Sequence, residues 1–540
     1  MLKFVPPAIL VRRDSAGFAK QTIWQPEVGR DDGVLRHCAT IKDTRISVEH
    51  RPDPRSRFAL FDNWWLYLSS PVGWDVYAEL EELVNRAPEC GPERILDRVQ
   101  HLRLTAFVVC DERTGTLHFG RSLDGLCSMY FGSNGSELII SDSRVTVAGR
   151  YGTVRLSADD ERDWRRRLMI GPERSFFEQT VRCFAGVRYT IAGGLSGMAV
   201  KRTWLAPDRD CASPREARRL FQDDLMHMFS GYGNKRIALR LSGGLDSRTL
   251  LVALMQAVRE GLLRKEQILC ISVLFPELEC DESHIIRRVI AYAGFEWHGI
   301  AATPDLARQA YLHSLMLPAP PFPTSFMRVL SFQAAKQYGA DAVISGHGGD
   351  ELFDYSLEDI LLAPFGKRLR QLGKIYGVRR GRGVVGAIKA LAIACVGRRK
   401  DLTTDKLLKS CGLDDSFTRV HRAHRRMNMA SSSSYEVATW DGAGFGLLVD
   451  APLLRSALWS RYTPLEDELS DGANLKPLAR WYIAQNAPEV ARVPSSKVSF
   501  NCAVTLQFDP SPGEEALDGI TGVNEFFKAK TYPTWATQYE

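Results

Sequence analysis

Short apolar runs bounded by polar turns make residues 1 to about 205 read as mostly β. "TAFVVCDERTGTLHFGRS" (105–122) reads as two strands about a polar turn at Asp111–Gly115. "ELIISDS" is a further short strand, and "RYTIAGGLSGMAVKRTWL" (188–205) predicts a hairpin with Gly193–Gly194 in its turn. "APDRDCASP" (206–214), polar and carrying two prolines, reads as a linker between domains. Beyond it the pattern changes. "PREARRLFQDDLMHMF" is helical, "RIALRLSGG" is a strand entering a glycine turn, and "DSRTLLVALMQAVREG" is a helix stopped by Gly261. "QILCISVLF" is an apolar strand. "DESHIIRRVIAYAG" and "TSFMRVLSFQAAKQYG" are helices, the second with Thr324 as its expected cap. "ADAVISGHGGDELF" returns to a strand and a glycine loop. Such alternation predicts a parallel sheet with helices on both faces and ligands at the carboxyl ends of its strands. Two domains follow, 1–205 and 206–540, with mostly helix after about 356.

Composition changes this picture little. The 540 residues hold 70 Lys+Arg against 64 Asp+Glu, a net charge of +6, with 45% hydrophobic residues. That excess gives no argument for nucleic acid, and an anionic substrate accounts for local basic patches equally well. The basic segment 367–400 reads as a solvated face. Its most apolar stretch, Val384 to Val396, is interrupted by Lys389 and is shorter than the ~20 residues of a spanning helix. It reads as a buried helix, with a membrane-surface helix as the alternative, and no membrane span is expected. Eleven scattered Cys with no C-x-x-C, and no secretory signal at the start, predict reduced thiols and a cytoplasmic setting.

Two glycine loops carry the chemistry. "LSGGLDS", Leu241 to Ser247, lies between a strand and a helix. Its backbone N–H groups and the helix N-terminus form an anion cradle, and Gly243 and Gly244 admit a close approach of phosphate. Ser242 and Ser247 add hydroxyls. There is no G-x-x-x-x-G-K-[ST], so this is not a Walker loop. It resembles the pyrophosphate loop of the ATP pyrophosphatases, which implies ATP as substrate and Asp246 as a carboxylate for Mg²⁺. "SGHGGDELF", Ser345 to Phe353, also ends a strand, and Asp350 is the second metal carboxylate expected there. Leu241, Ser242, Gly243, Gly244, Leu245, Asp246, Ser247, Val273, Gly346 and Gly348 are the candidate nucleotide contacts.

Together these motifs resemble the asparagine synthetase superfamily over nearly the whole chain. "AFVVCDERTGTLHFGRSLDGLCSMYF…ELIISDS" is similar to its glutaminase-like N-terminal domain. "PELECDES" is similar to the segment after its second strand, and "GFGLLVDAPLL…LKPLARWYIAQNAPEVARVPSSKVSF" to its C-terminal end. The resemblance implies an α/β chain: an Ntn-type α/β sandwich followed by a Rossmann-like ATP-pyrophosphatase domain with added helices. It also implies a lysine, here Lys497, that stabilises charge as the amide forms; an ordinary surface lysine is the alternative. A working glutaminase of this type needs Cys after Met1, and residue 2 is Leu2, so the N-terminal domain is expected to lack its nucleophile. "GHGGD", with His347, is similar to the loop of lasso-peptide cyclases, which close a macrolactam between an N-terminal amine and an Asp or Glu side chain. His347 is then either a base or a structural residue. Glu436 is either its partner or a solvated loop residue, and Asp281 and Glu282 either contact the ligand or favour a helix N-terminus. The expected activity is AMP-forming amide synthesis. Macrolactam closure is favoured, with a precursor peptide as substrate and a leader-binding protein and leader peptidase as partners. Ammonia-dependent asparagine synthesis or β-lactam-type closure is the alternative.

Overall fold

The computed structural model describes residues 8–13, 27–28, 35–41, 44–50, 56–61, 64–69, 74–99, 105–122, 125–133, 137–149, 154–167, 173–192, 200–204, 214–316, 321–349, 438–439, 441–442, 444–454, 476–495, 500–504, 506, 531 and 536. In the N-terminal region these are β1 (Ala8–Arg13), β2 (Glu27–Val28), β3 (Leu35–Ile41), β4 (Thr44–His50), β5 (Ser56–Phe61), β6 (Trp64–Ser69), α1 (Trp74–Val99), β7 (Ala106–Asp111), β8 (Thr116–Arg121), β9 (Tyr130–Ser133), β10 (Glu137–Ser141), α2 (Arg144–Gly149), α3 (Ala158–Arg167), β11 (Val181–Arg182), β12 (Val187–Ala192) and β13 (Val200–Trp204). They form two antiparallel sheets, ordered β11-β9-β10-β1-β4-β3-β2 and β13-β12-β8-β7-β6-β5.

Strand alternation decides how the sheets stack. Trp65 and Tyr67 of β6, with Val108 and Cys110 of β7, share a core with Phe131, Leu138 and Ile140 of the other sheet. The intervening residues Trp64, Leu66, Leu68, Phe107 and Val109 face outward and are buried with Leu83, Ile95 and Val99 of α1. Tyr130 and Ile139 meet Val147 of α2 on the far side. The order is helix, sheet, sheet, helix, so β7 is buried at every residue and reads as continuously apolar. The expected 188–205 hairpin is the β12–β13 pair, with Val187 opposite Trp204. The turn after β7 uses Gly115 at φ 65°. α1 is interrupted at Gly91, which takes a left-handed φ of 70°.

The second region contains α4 (Pro214–Ser230), β14 (Ile237–Arg240), α5 (Leu245–Arg259), β15 (Ile268–Leu274), α6 (Ser283–Ala293), β16 (Glu296–Ala301), α7 (Pro304–Leu315), α8 (Ser325–Gln337), β17 (Ala342–Ser345), β18 (Leu448–Asp450), α9 (Pro477–Asn486) and α10 (Pro488–Ala491). Its sheet is parallel throughout, ordered β16-β15-β14-β17-β18. Ile237 and Leu239 are buried with α4, α5 and α9, whereas Ala238, Leu269 and Val343 are buried against Phe332 and Ala335 of α8. The strand order reverses at β14. The crevice between the carboxyl ends of β14 and β17 is therefore the switch point at which open α/β sheets bind ligands.

Most expected elements lie where the pattern put them, and α6 ends on left-handed Gly294 as expected. Thr324 stands at the cap position of α8, but its side chain makes no capping hydrogen bond. Ser325 takes the corner instead, accepting a hydrogen bond from Phe322 N at 2.9 Å and from Arg328 at 3.3 Å. The expected helices after 356, including 384–396, lie outside the described residues. Among the described residues no helix is long and apolar enough to cross a membrane.

Candidate functional site

The first glycine loop leaves β14 while still joined to the sheet, through Leu241 N donating to Ile271 O at 2.8 Å. Leu241 is buried in the core and Leu245 packs partly against it, so these two anchor the loop from below. Ser247 closes it. Its hydroxyl accepts from Ser242 N at 3.1 Å, lies 3.0 Å from the Ser242 hydroxyl and donates to Ser242 O at 3.2 Å. Ser242 Oγ in turn accepts from Gly244 N at 3.3 Å. The two serines expected as phosphate donors thus hold the shape of the loop. Gly244 caps α5 with no side-chain hydrogen bond, so the first N–H groups of a 15-residue helix open at the mouth of the loop.

Two charged side chains meet this loop. Gly243 N donates to Glu282 Oε2 at 2.9 Å, and a Cβ on Gly243 would lie 2.9 Å from that carboxylate. Opposite it, Lys476 Nζ donates to both oxygens of Asp246, at 2.6 and 2.5 Å. The lysine side chain is 7% exposed and the aspartate side chain 20%. Removing one member of such a pair strands the other and costs about 3–5 kcal/mol. Asp281, beside Glu282, is structural. It accepts from Ser283 Oγ at 2.6 Å, Ser283 N at 3.3 Å and Phe275 N at 3.2 Å, pinning the start of α6.

The second glycine loop lies directly on the first. A Cβ on Gly346 would stand 2.7 Å from Ser247 N, and one on Gly349 would overlap the Asp246 carboxylate. Gly348 has φ +88° and sits against Leu454. The spacing G-H-G-G is therefore required by contact with Asp246 and by one left-handed turn. His347 Nδ1 lies 2.9 Å from Ser345 Oγ. Burial, then the charges of Arg240 and Arg328, lower its pKa from 6.5 to about 3, so the imidazole is neutral. Arg240 ends β14, lies over the Phe332 ring and is lowered to about 10 by burial and by Arg328, with Asp441 opposing. Arg328 Nε donates to Asp441 at 2.5 Å, and burial nevertheless raises the Asp441 pKa.

Arg248 ties the site together. It donates to Gly243 O at 3.0 Å, to Val493 O at 2.6 Å and to Pro494 O at 3.1 Å. The phosphate-type loop is thereby fastened to the segment that leads to residue 497. Lys497 itself, with Asp350 and Glu436, lies outside the described residues. Val273 is half-buried near the end of β15, against the cluster of Phe275 and Phe326 rather than in either loop. Lys476, Arg248, Arg240 and the Arg328–Asp441 pair are the residues that sequence reasoning missed. Arg240 and Arg248 flank the first motif, and the others adjoin neither motif.

ATP and Mg²⁺ can be tested against this geometry. An anion, the Glu282 carboxylate, occupies the loop amide where a phosphate oxygen would bind. A cation, the Lys476 ammonium, occupies the carboxylate where a metal would bind. Both donor sets fit the groups the loop implies. Among the described residues no cluster of three or more His, Cys, Asp or Glu could hold a metal by itself.

No curated protein matches the chain. Among solved structures the chain is similar to an allosteric regulatory enzyme of purine biosynthesis, at 12% identity over 56% of this chain and 75% of that one, TM-score 0.21. It is also similar to the glutamine phosphoribosylpyrophosphate amidotransferase from B. subtilis complexed with ADP and GMP, at 10% identity over 63% and 75%, TM-score 0.20. Scores this low carry no argument. Residues 231–436, less than half of the chain, match the family described as asparagine synthase. That match supports the asparagine synthetase superfamily and, in general terms, ATP-dependent amide-bond formation.

Proposed function

We propose that this chain is an AMP-forming amide synthetase that closes a macrolactam in a precursor peptide. The observation that carries the reading is the contact of two glycine loops at the switch point of the parallel sheet, with Asp246 between them. An oxygen of the substrate carboxylate attacks the α-phosphorus of ATP, and the bond to pyrophosphate breaks. The peptide's amine then attacks the acyl carbon and AMP leaves. Asp246, with Asp350, would hold Mg²⁺, which neutralises charge on the departing pyrophosphate.

His347 has the role of taking the amine's proton, with Glu436 as its partner. Burial, with Arg240 and Arg328, opposes protonation of this ring. An anionic nucleotide and substrate beside it offset that opposition, so basicity arrives with the ligands. Lys497 stabilises the tetrahedral species. Binding two ends of one peptide in register supplies much of the rate.

The preference for a peptide rests on the "GHGGD" loop and its resemblance to lasso-peptide cyclases. A leader-binding protein and a leader peptidase are the partners that this reading requires, and the cytoplasm is its place, where ATP is available. The N-terminal sandwich serves as a structural or substrate-binding element, with the second substrate a peptide amine rather than glutamine nitrogen.

The test is AMP formation by the purified chain with Mg·ATP. One arm supplies a candidate precursor peptide with the partner proteins, and the other supplies aspartate with ammonia. AMP in the peptide arm, with a product lighter by one water, supports macrolactam closure. AMP only with the free amino acid overturns it in favour of a small-molecule synthetase.

A further inference from the structure

Lys476 is a buried side chain at the site that the proposed chemistry leaves unassigned. It precedes α9 with φ 58° and ψ 56°, a left-handed conformation that costs a residue bearing a Cβ. Its ammonium nonetheless reaches across to both oxygens of Asp246, 230 residues away in sequence. On the other side of the same loop the Gly243 amide is held by the Glu282 carboxylate. The carboxylate and the amide of the loop are thus each met by a charge of the protein's own.

We propose that Lys476 is an exchangeable counter-ion, resting on the reading of Asp246 as the metal carboxylate. Without ligand its ammonium neutralises Asp246 and keeps free divalent cations off the loop. When metal and polyphosphate arrive together, the metal takes Asp246 and the ammonium passes to the polyphosphate oxygens. The swap conserves charge pairing: two ammonium–carboxylate contacts are exchanged for metal–carboxylate and ammonium–phosphate contacts, with no proton transferred. The loop therefore discriminates against metal alone and polyphosphate alone, and accepts the pair.

The test uses the full chain and two probes, Mn²⁺ alone followed by electron paramagnetic resonance and metal-free inorganic pyrophosphate followed by calorimetry. Lys476→Met removes the ammonium from Asp246, and affinity for Mn²⁺ rises at least about tenfold over wild type. Asp246→Asn releases the ammonium, and its affinity for metal-free pyrophosphate rises by a similar factor of about ten, although a metal ligand has been removed. The double variant shows neither gain.

If Lys476→Met does not fold, the comparison of Asp246→Asn with the double variant decides alone. Mn²⁺ affinity in folded Lys476→Met no higher than wild type, or pyrophosphate affinity in Asp246→Asn no higher than wild type, overturns the exchange. Failure here is separable from failure of the enzymatic reading. A wild-type chain that makes AMP while the variants show no gain retains the enzyme and loses the counter-ion. Gains in the variants of a chain that makes no AMP do the reverse.

Discussion

Both regions of this chain bury charge, and the partners of two buried arginines in the sandwich differ from those at the glycine loop. In the N-terminal sandwich, Arg121 donates to the carbonyl of Cys127 at 2.8 Å, and Arg144 donates to Ser175 O at 3.3 Å and Tyr130 Oη at 2.7 Å while lying over the Tyr130 ring. Ser175 is itself bound to Phe177 O and Thr180 O. These partners are backbone carbonyls and hydroxyls fixed by the fold, and no ligand could replace them without unmaking it. At the parallel sheet, Asp246 faces an ammonium and the Gly243 amide faces a carboxylate. Each pairs a side-chain charge of the protein with a group that ligands also seek. Charge satisfied by carbonyls builds architecture, whereas charge satisfied by opposite charge beside a glycine loop marks a place where partners can be exchanged.

Two glycines break or sharpen that comparison. Gly349 and Gly120 both lack room for a Cβ, the first against the Asp246 carboxylate and the second against Val187 O at 2.5 Å and the Phe107 ring. Gly349→Ala displaces Asp246, the carboxylate proposed to hold the metal, and a misplacement of about 1 Å costs on the order of 10²-fold in rate. Its AMP formation falls by about that factor or more, beyond what its loss of stability in a thermal melt accounts for. Gly120→Ala parts β8 from β12 and lowers stability by about 1–3 kcal/mol in denaturant melts, with Mg·ATP affinity unchanged. If Gly120→Ala weakens nucleotide binding as much as Gly349→Ala, the division of labour between the regions is wrong.

The same division governs what the sequence made legible. The strands β7, β8, β12 and β14 could be read because their neighbours in space are also near in sequence or impose a simple period. The loops at 241–247 and 345–349 could be read because two stacked glycine turns leave few residue types that fit. Lys476 could not. It follows "NL" and precedes a helix-starting proline, and nothing local says that its partner is Asp246. Arg248 reaches Val493 and Pro494 across more than 240 residues, another pairing that only folding reveals. β16 was missed for a different reason. It is an edge strand of half-exposed residues with no apolar alternation. Thr324 lies at the N-cap of α8 where the sequence placed it, without a side-chain capping hydrogen bond.

The smallest effect expected is on the pH dependence of stability, where one histidine from each region can be compared. His118 of β8 is lowered from 6.5 to about 4 by burial and by Arg188, with Asp111 opposing, and lies 3.0 Å from Thr190 Oγ1. His347 is lowered from 6.5 to about 3. A depressed histidine means that the unfolded chain binds more protons than the folded one below about 6.5. Each therefore contributes stability that is full above pH 6.5 and is lost as the pH falls toward its folded pKa. Glu112, raised to about 6 by burial and by Asp111, acts in the opposite sense, losing its contribution as pH rises from 4.5 to 6. Differences between variants and wild type are thus the quantity to measure. His118→Gln and His347→Gln should each flatten the fall of stability between pH 6.5 and 4. Adding Mg·ATP should separate them. An anion beside Arg240 and Arg328 raises the folded pKa of His347 and shrinks the His347→Gln difference, while the His118→Gln difference stays as it was. Equal response of both histidines to nucleotide would show that the nucleotide acts on the whole chain and not at the crevice between β14 and β17.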